Sequence, residues 1–446
     1  MFNTITEEAI RSLPHIGDMD NNKLPETLTK IYTHIVGFEA SYKLDEIPFR
    51  KAELDEDYNT LQKIGFVLEL KLIVETNQNT VENIAYVAAM CREMMAMIEE
   101  DKIALSLDAI PSTLIAALLF TLARNFPDAL EMLQKVDTRS MNMSQVQFVN
   151  SLRSLFKNQL DELFNFKQVK SYNTELSLEK YVDQLMWDEL TKGVQNIGQQ
   201  LIGSGSDLID HFLKVYELSY WDGDIYIGTY KIASFLKRIE KIFILHATIN
   251  IPAPTNCNSA DWRNAMINFS KRRAYVWQNH IDAISKYGVL NIGISSVITF
   301  PTGAGKSTLY ELKVISVLLT RQKALILVPT HALESQVKHN MNSISVTLDA
   351  NFSNIDGELT SLDETEKNDI LVMTPERCLT LMGLNPSFID NVGLVVFDEF
   401  HLISGNQEDK RAMESMLCVL ELFTRIPKAD YMFLSAMVNN GNEIAS

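Results

Sequence analysis

The chain has little cysteine. Its four thiols, Cys91, Cys257, Cys378 and Cys418, are scattered and form no Cys-x-x-Cys pair. That spacing excludes a zinc ribbon and a disulfide framework, and it fits a reducing, cytoplasmic compartment. Long apolar runs are missing too. The longest, Leu114 to Ala123, is about half the length a bilayer-spanning helix needs, so no membrane partner is expected. Met1 to Ile10 carries neither the basic nor the apolar segment of a signal peptide. Positive charge is scarce: 40 Lys and Arg stand against 57 Asp and Glu, a net charge of −17. Most of the acidic excess falls in the first 270 residues. A surface this acidic does not coat polyanions, so any nucleic-acid binding requires a local groove. What remains is ordinary for a globular protein, with 46% apolar and 22% charged residues. A length of 446 residues exceeds one hydrophobic core and predicts two or three domains.

From Leu24 to about Asn250 the apolar residues recur at helical spacing. Leu61, Ile64, Val67, Leu68, Leu70 and Leu72 form one stripe, and Ile84, Val87, Ala88, Cys91, Met94 and Met95 form another. Turn-forming segments at Asn77-Gln78-Asn79, Ile110-Pro111-Ser112, Phe126-Pro127-Asp128 and Gly203-Ser204-Gly205-Ser206 divide the helices. Ser206 is positioned to cap a helix beginning near Asp207. The Met90, Met94, Met95 and Met97 cluster reads as core filling. The acidic run from Glu53 to Asp57 reads as a solvated helix start. Ile251-Pro252-Ala253-Pro254-Thr255-Asn256 interrupts this pattern. The expected division is therefore a helical region over 1–255 and a second domain over 256–446.

In the second domain, short β-branched runs alternate with helical stretches. The runs are Val297–Phe300, Ala324–Val328, Ile370–Met373, Leu394–Phe397 and Tyr431–Leu434. This is the pattern of βαβ units around a parallel sheet. The first run leads into Pro301-Thr302-Gly303-Ala304-Gly305-Lys306-Ser307-Thr308, and a helical pattern follows. Strand, glycine-bearing turn and helix together make a phosphate-binding loop for a nucleotide. Gly303 and Gly305 allow the tight bend, and Thr302, Ala304 and Thr308 complete the cradle. Lys306 faces the β- and γ-phosphates, and the Ser307 hydroxyl is a Mg²⁺ ligand. Phe300 stands where the usual pattern has Gly or Ala. Asp398-Glu399 ends the fourth run, at the carboxyl end of a buried strand where ligands of such sheets bind. There Asp398 holds Mg²⁺ and Glu399 activates the attacking water.

Asp398-Glu399-Phe400-His401 resembles the DExH box of superfamily-two nucleic-acid helicases. Pro301–Thr308 is similar to their motif I, Val328–Leu333 to motif Ia, and Asp369–Glu376 to the segment holding motif Ib. Leu434-Ser435-Ala436-Met437 is similar to motif III, with Met437 in place of the usual Thr. His401-Leu402-Ile403 with Arg411 and Glu414, and then Val438 to Ala445, resemble the Ski-type and archaeal repair branch. The resemblance implies a RecA-like fold for the second domain. It also implies a single-stranded DNA or RNA track contacted through Pro329, Thr330, Thr374, Pro375 and Glu376. Thr374-Pro375 also reads as an ordinary helix start. In the family, Ser435 and Ala436 couple phosphate state to nucleic-acid grip, and His401 bridges the ATP site to motif III. Gln278 stands at the place of a Q-type motif that reads the adenine edge. Lys271-Arg272-Arg273 reads as a solvated helix face.

The chain stops soon after Met437, before a second sheet could begin. The expectation is the amino-terminal part of a longer helicase or half of a split one, with weak turnover by itself. The leading function is an ATP-dependent nucleic-acid helicase or translocase whose helical region regulates it or docks a protein partner. The alternative is a non-catalytic, ATP-gated sensor or scaffold, such as a subunit of a bacterial antiviral defence complex.

Overall fold

The computed structural model describes residues 23–43, 51–99, 110–166, 178–205, 209–221, 224–300, 305–348, 368–400 and 410–435. The chain divides into two compact units, Met1–Leu245 and His246–Ser446. The division falls upstream of the Ile251–Asn256 break. Residues just before that break belong to the second unit by hydrogen bonding. The Thr248 N–H donates to Ala274 O, and the Val276 N–H to His246 O. A proline-rich break marks where a helix stops, but the contacts of the residues before it set which core they join.

The first unit is helical: α1 (Leu24–Lys43), α2 (Lys51–Val74), α3 (Gln78–Glu99), α4 (Ser112–Leu122), α5 (Phe126–Lys135), α6 (Met143–Phe156), α7 (Leu160–Asn165), α8 (Leu178–Leu201), α9 (His211–Leu218) and α10 (Ile227–Leu245). The predicted stripes face the core, where Leu61, Ile64, Leu68, Leu72, Ile84 and Met95 are buried. Leu70 is the exception at 49% exposed, because it lies off the stripe set by its neighbours. Ser206 lies outside the described residues, and the helix after that loop starts at His211. Its cap is Asp210, whose Oδ1 accepts from the Leu213 N–H (3.1 Å). The helical reading of this half misses a two-stranded antiparallel ribbon. It pairs β1 (Tyr220–Trp221) with β2 (Asp224–Ile225), and Asp222-Gly223 stands between them in the sequence. Charges are also buried here. Glu69 accepts from Arg92 Nε (2.5 Å) and from Lys231 Nζ (3.0 Å), joining α2, α3 and α10.

The second unit contains α11 (Ser259–Ser270), α12 (Gln278–Tyr287), β3 (Ser296–Thr299), α13 (Lys306–Leu319), β4 (Lys323–Leu327), α14 (His331–Leu348), β5 (Ile370–Met373), α15 (Pro375–Leu384), β6 (Val392–Phe397), α16 (Lys410–Arg425) and β7 (Asp430–Ser435). All five strands are parallel, in the order β3-β7-β6-β4-β5. Alternate residues of each strand go to opposite faces, as a two-residue period requires. Ile326, Val396, Met432 and Leu434 join α11 to α14 in one core layer. Leu325, Leu327, Val395 and Phe433 join α15 and α16 in the other. Both faces are therefore covered, which explains why these strands read as continuous apolar runs. A helical region followed by one RecA-like parallel-sheet domain is the architecture of the chain. Among the described residues, no helix is long and apolar enough to cross a membrane.

Candidate functional site

The strand register brings the site residues to one edge of the sheet. Thr299 of β3 pairs with Ser435 of β7, Phe397 of β6 with Phe433 of β7, and Leu327 of β4 with both Phe397 and Met373. The loops holding Gly305-Lys306, Pro329-Thr330, Thr374 and Asp398-Glu399 all leave from these carboxyl ends. That edge is where a doubly wound sheet places its ligands.

Gly305 caps α13 in the left-handed conformation (φ 79°, ψ 27°), so the helix opens at Lys306 with its first N–H groups and dipole facing the loop. Lys306 is largely buried, and its Nζ lies 3.7 Å from Glu399 Oε1. Ser307 is half-buried and Thr308 buried, with the Thr308 N–H donating to Gly305 O (2.9 Å). Thr302, Gly303 and Ala304 lie outside the described residues. So do His401 and Ala436.

Asp398 is fixed from two sides. Its N–H donates to Leu327 O (3.0 Å), and its Oδ1 accepts from the Glu399 N–H (2.9 Å). Glu399 itself has φ 51°, a left-handed backbone that an L side chain seldom adopts. Strain at a residue of this type, at the mouth of a sheet, is characteristic of functional positions. The donor set fits a nucleotide with Mg²⁺: one lysine, neighbouring hydroxyls and two carboxylates. Among the described residues no cluster of three His, Cys, Asp or Glu could hold a metal alone.

The expected nucleic-acid residues separate into two sorts. Pro329, Thr330 and Glu376 are half-buried, whereas Thr374 and Pro375 are buried. Thr374 Oγ1 accepts from the Arg377 N–H (3.4 Å) as the cap of α15, and Pro375 fills its first turn. Thr330 caps α14 in the same way. Glu334 was not singled out by sequence, yet it is buried among Lys338 Nζ (2.8 Å), His331 Nδ1 (2.9 Å) and Arg377 Nη1 (3.7 Å). It ties α14 to α15. Burial opposes its ionisation, but hydrogen bonds from Lys338 and His331 hold its carboxyl below the usual range. The Glu334/Lys338 spacing of four was the available signal.

Gln278 opens α12, and its amide is engaged within the protein. Its Nε2 donates to Asp282 Oδ1 (2.8 Å), and its Oε1 accepts from His246 Nε2 (3.1 Å). Of the solvated face expected for Lys271-Arg272-Arg273, Lys271 is exposed, whereas the two arginines turn to a buried acid. Arg272 Nη2 lies 2.6 Å and Arg273 Nε 3.4 Å from Glu311 Oε2, a fully buried carboxylate on α13. Burial raises the Glu311 pKa, and the two guanidinium groups oppose that rise. Periodicity cannot reveal a buried acid that recruits exposed-looking arginines.

Residues 282–444 match the DEAD/DEAH box helicase family. The ATP-dependent DNA helicase Hel308 of Thermococcus kodakarensis is 34% identical over 162 residues, which are 36% of this chain and 14% of that protein. The Hachiman protein HamB of Bacillus cereus is 25% identical over 150 residues, 32% of this chain and 13% of that protein. Among solved structures, the DUF1998 helicase MrfA aligns with a TM-score of 0.36 at 18% identity, over 43% of this chain and 31% of that one. The chain thus spans a minor share of each protein it resembles. Residues 282–444, which take in the sheet and the acidic pair, are thus similar to the DEAD/DEAH box helicases.

Proposed function

We propose that this chain binds and hydrolyses ATP as the first RecA-like part of a DExH-type nucleic-acid helicase or translocase. The observation that carries the reading is the approach of Lys306 to Glu399 across the carboxyl ends of the sheet, 3.7 Å from ammonium to carboxylate. A cation for the β- and γ-phosphates and a carboxylate for the attacking water are thereby on one edge. Phosphoryl transfer asks the protein chiefly for positioning and charge stabilisation. Lys306 and the N–H groups at the start of α13 hold the transferred group, and Glu399 orients the water and takes its proton. Ser307 and Asp398 would hold Mg²⁺, which would supply charge neutralisation of the phosphate oxygens.

The nucleic-acid track, DNA or RNA, is assigned to Pro329, Thr330, Thr374, Pro375 and Glu376, with grip through phosphates rather than bases. Ser435, at the end of β7 beside β3, is assigned to coupling. Full turnover is proposed to need an arginine from a second RecA-like domain, a contribution of about 10³–10⁵ in rate in related enzymes. The helical unit regulates or docks a partner and holds none of the nucleotide. A photoactivated ATP analogue crosslinking within α1 to α10 would overturn that part.

The test is ATP turnover by the chain, with and without single-stranded DNA or RNA, beside Lys306→Ala and Glu399→Gln. The expected result is weak hydrolysis by the chain alone and nucleic-acid-stimulated hydrolysis once a second RecA-like domain is supplied, both removed by either substitution, with ATP binding retained in Glu399→Gln. Tight ATP binding with no hydrolysis under any condition, including a supplied second domain, would replace the enzyme with an ATP-gated sensor.

A further inference from the structure

His280 belongs to no motif of the sequence, yet it sits between the two ends of the nucleotide site. It is the third residue of α12, two after Gln278, and it is 2% exposed. The Trp277 N–H donates to its Nδ1 (3.0 Å). An Nδ1 that accepts leaves the ring proton of the neutral imidazole on Nε2. Nε2 lies 3.0 Å from Gly305 O and therefore donates to it. The ring is held flat against Trp277, with centroids 5.8 Å apart at 18°, and Phe300 lies across it at 6.1 Å. This gives a reason for the bulky Phe300 at a position where phosphate loops usually carry a small residue. The ring also fills the space a side chain on Gly305 would take: a Cβ there would stand 2.6 Å from Nε2.

The consequence follows from peptide geometry. In a trans peptide the carbonyl and the next N–H point in opposite directions. Pinning Gly305 O to His280 and Thr308 fixes the Gly305–Lys306 peptide plane, with the Lys306 N–H directed out of the helix toward the loop. A preset N–H costs no reordering when an anion arrives.

We propose that His280 is a positioning residue of this site. It locks the last peptide of the phosphate loop to the start of α12, so that affinity for the β- and γ-phosphates depends on its Nε2–H. The proposal rests on the ATP-site reading given above. It is specific about which part of the ligand is affected: the loop end changes, and the nucleoside end does not.

The experiment compares ADP with AMP as competitors of a fluorescent ATP analogue bound to the full chain. The proteins are wild type, His280→Asn and His280→Gln. Asparagine reproduces the Nδ1 acceptor, preserving the bond from the Trp277 N–H, but cannot reach Gly305. Glutamine places an N–H donor near the position of Nε2. The expected result is a preference for ADP over AMP reduced about ten-fold in His280→Asn and restored to within about two-fold in His280→Gln, with AMP affinity constant. An unchanged preference in His280→Asn overturns the proposal. So does equal weakening of ADP and AMP, which would make His280 a packing residue. A fold lost in His280→Asn with wild-type preference in His280→Gln leaves donation to Gly305 as the property that matters. Loss of preference in a folded His280→Gln overturns it. A wild-type chain that binds no nucleotide fails differently, because it removes the ATP site itself.

Discussion

Glu399 combines a polar role with a backbone cost. At φ 51° it lies in the left-handed region, where an L residue pays about 1–2 kcal/mol relative to right-handed conformations. Glycine pays almost none. Replacing Glu399 by glycine should therefore give a chain about 1 kcal/mol more stable than replacing it by alanine, although neither retains the carboxylate. Urea unfolding of the two variants measures the difference. Equal stabilities would mean that the strain is released elsewhere when the side chain is removed. The placement of Lys306 at a helix start and of Asp398-Glu399 at a strand end was legible in the sequence because each stands beside an apolar run. His280 and Glu334 were not. His280 reaches Gly305 and Glu334 reaches Arg377, both distant in sequence, and the i, i+4 spacing of Glu334 and Lys338 marks an ion pair without revealing its burial or its third partner.

Elements were read more readily than their arrangement. The five strands of the second unit coincide with the five β-branched runs, since burial on both faces forces unbroken apolar sequence. The order β3-β7-β6-β4-β5 is set by pairing across long separations and leaves no local trace. One device that fixes it is buried at the opposite end of the sheet from the site. Lys313, in the middle of α13 and wholly buried, lies 2.7 Å from Asp430 Oδ2 at the start of β7. Its Nζ also donates to Asn291 O (2.5 Å), and the Gly293 N–H donates to Asp430 Oδ2 (3.0 Å). Burial pulls the Lys313 pKa down, and the Asp430 pairing opposes this. Removing one partner of such a pair costs roughly 3–5 kcal/mol, because the other charge is left buried. Lys313→Met should therefore lower stability by that order, and Lys313→Met with Asp430→Asn should recover much of it. Hydrogen exchange in β3, α13 and β7 locates the effect. If the double variant is as unstable as the single one, packing of the lysine stem, and not charge, holds α13 to the sheet.

At the scale of the whole molecule, the acidic composition has different consequences for the two units, because each has its own core and its own ionisable ties. In the helical unit the buried acid held furthest below its ordinary value is Glu189 on α8, while burial raises the pKa of Glu93, Asp128 and Asp183. Burial alone would raise the Glu189 pKa, but hydrogen bonds from His211 Nδ1 (2.7 Å) and Lys192 Nζ (2.6 Å) dominate and bring it to about 2, from an ordinary 4.5. A carboxyl whose pKa is depressed on folding binds fewer protons in the folded state than in the unfolded one. Its contribution is fully present above about pH 4.5 and is lost as the pH falls toward 2. A shift of this size corresponds to a contribution on the order of 3 kcal/mol. In the second unit, Glu311 has a raised pKa, so protonation favours the folded form, and Glu334, with its depressed pKa, works in the other direction. The α8–α9 region should therefore lose protection from hydrogen exchange between pH 4.5 and 2 with a steeper slope than the sheet. Glu189→Gln should flatten that slope while lowering stability at neutral pH, where His211 and Lys192 lose their carboxylate. Exchange measured separately over α8–α9 and over the sheet decides the matter. If both units lose protection in parallel and Glu189→Gln leaves the slope unchanged, the acid response comes from the net charge of −17 and not from this buried carboxylate.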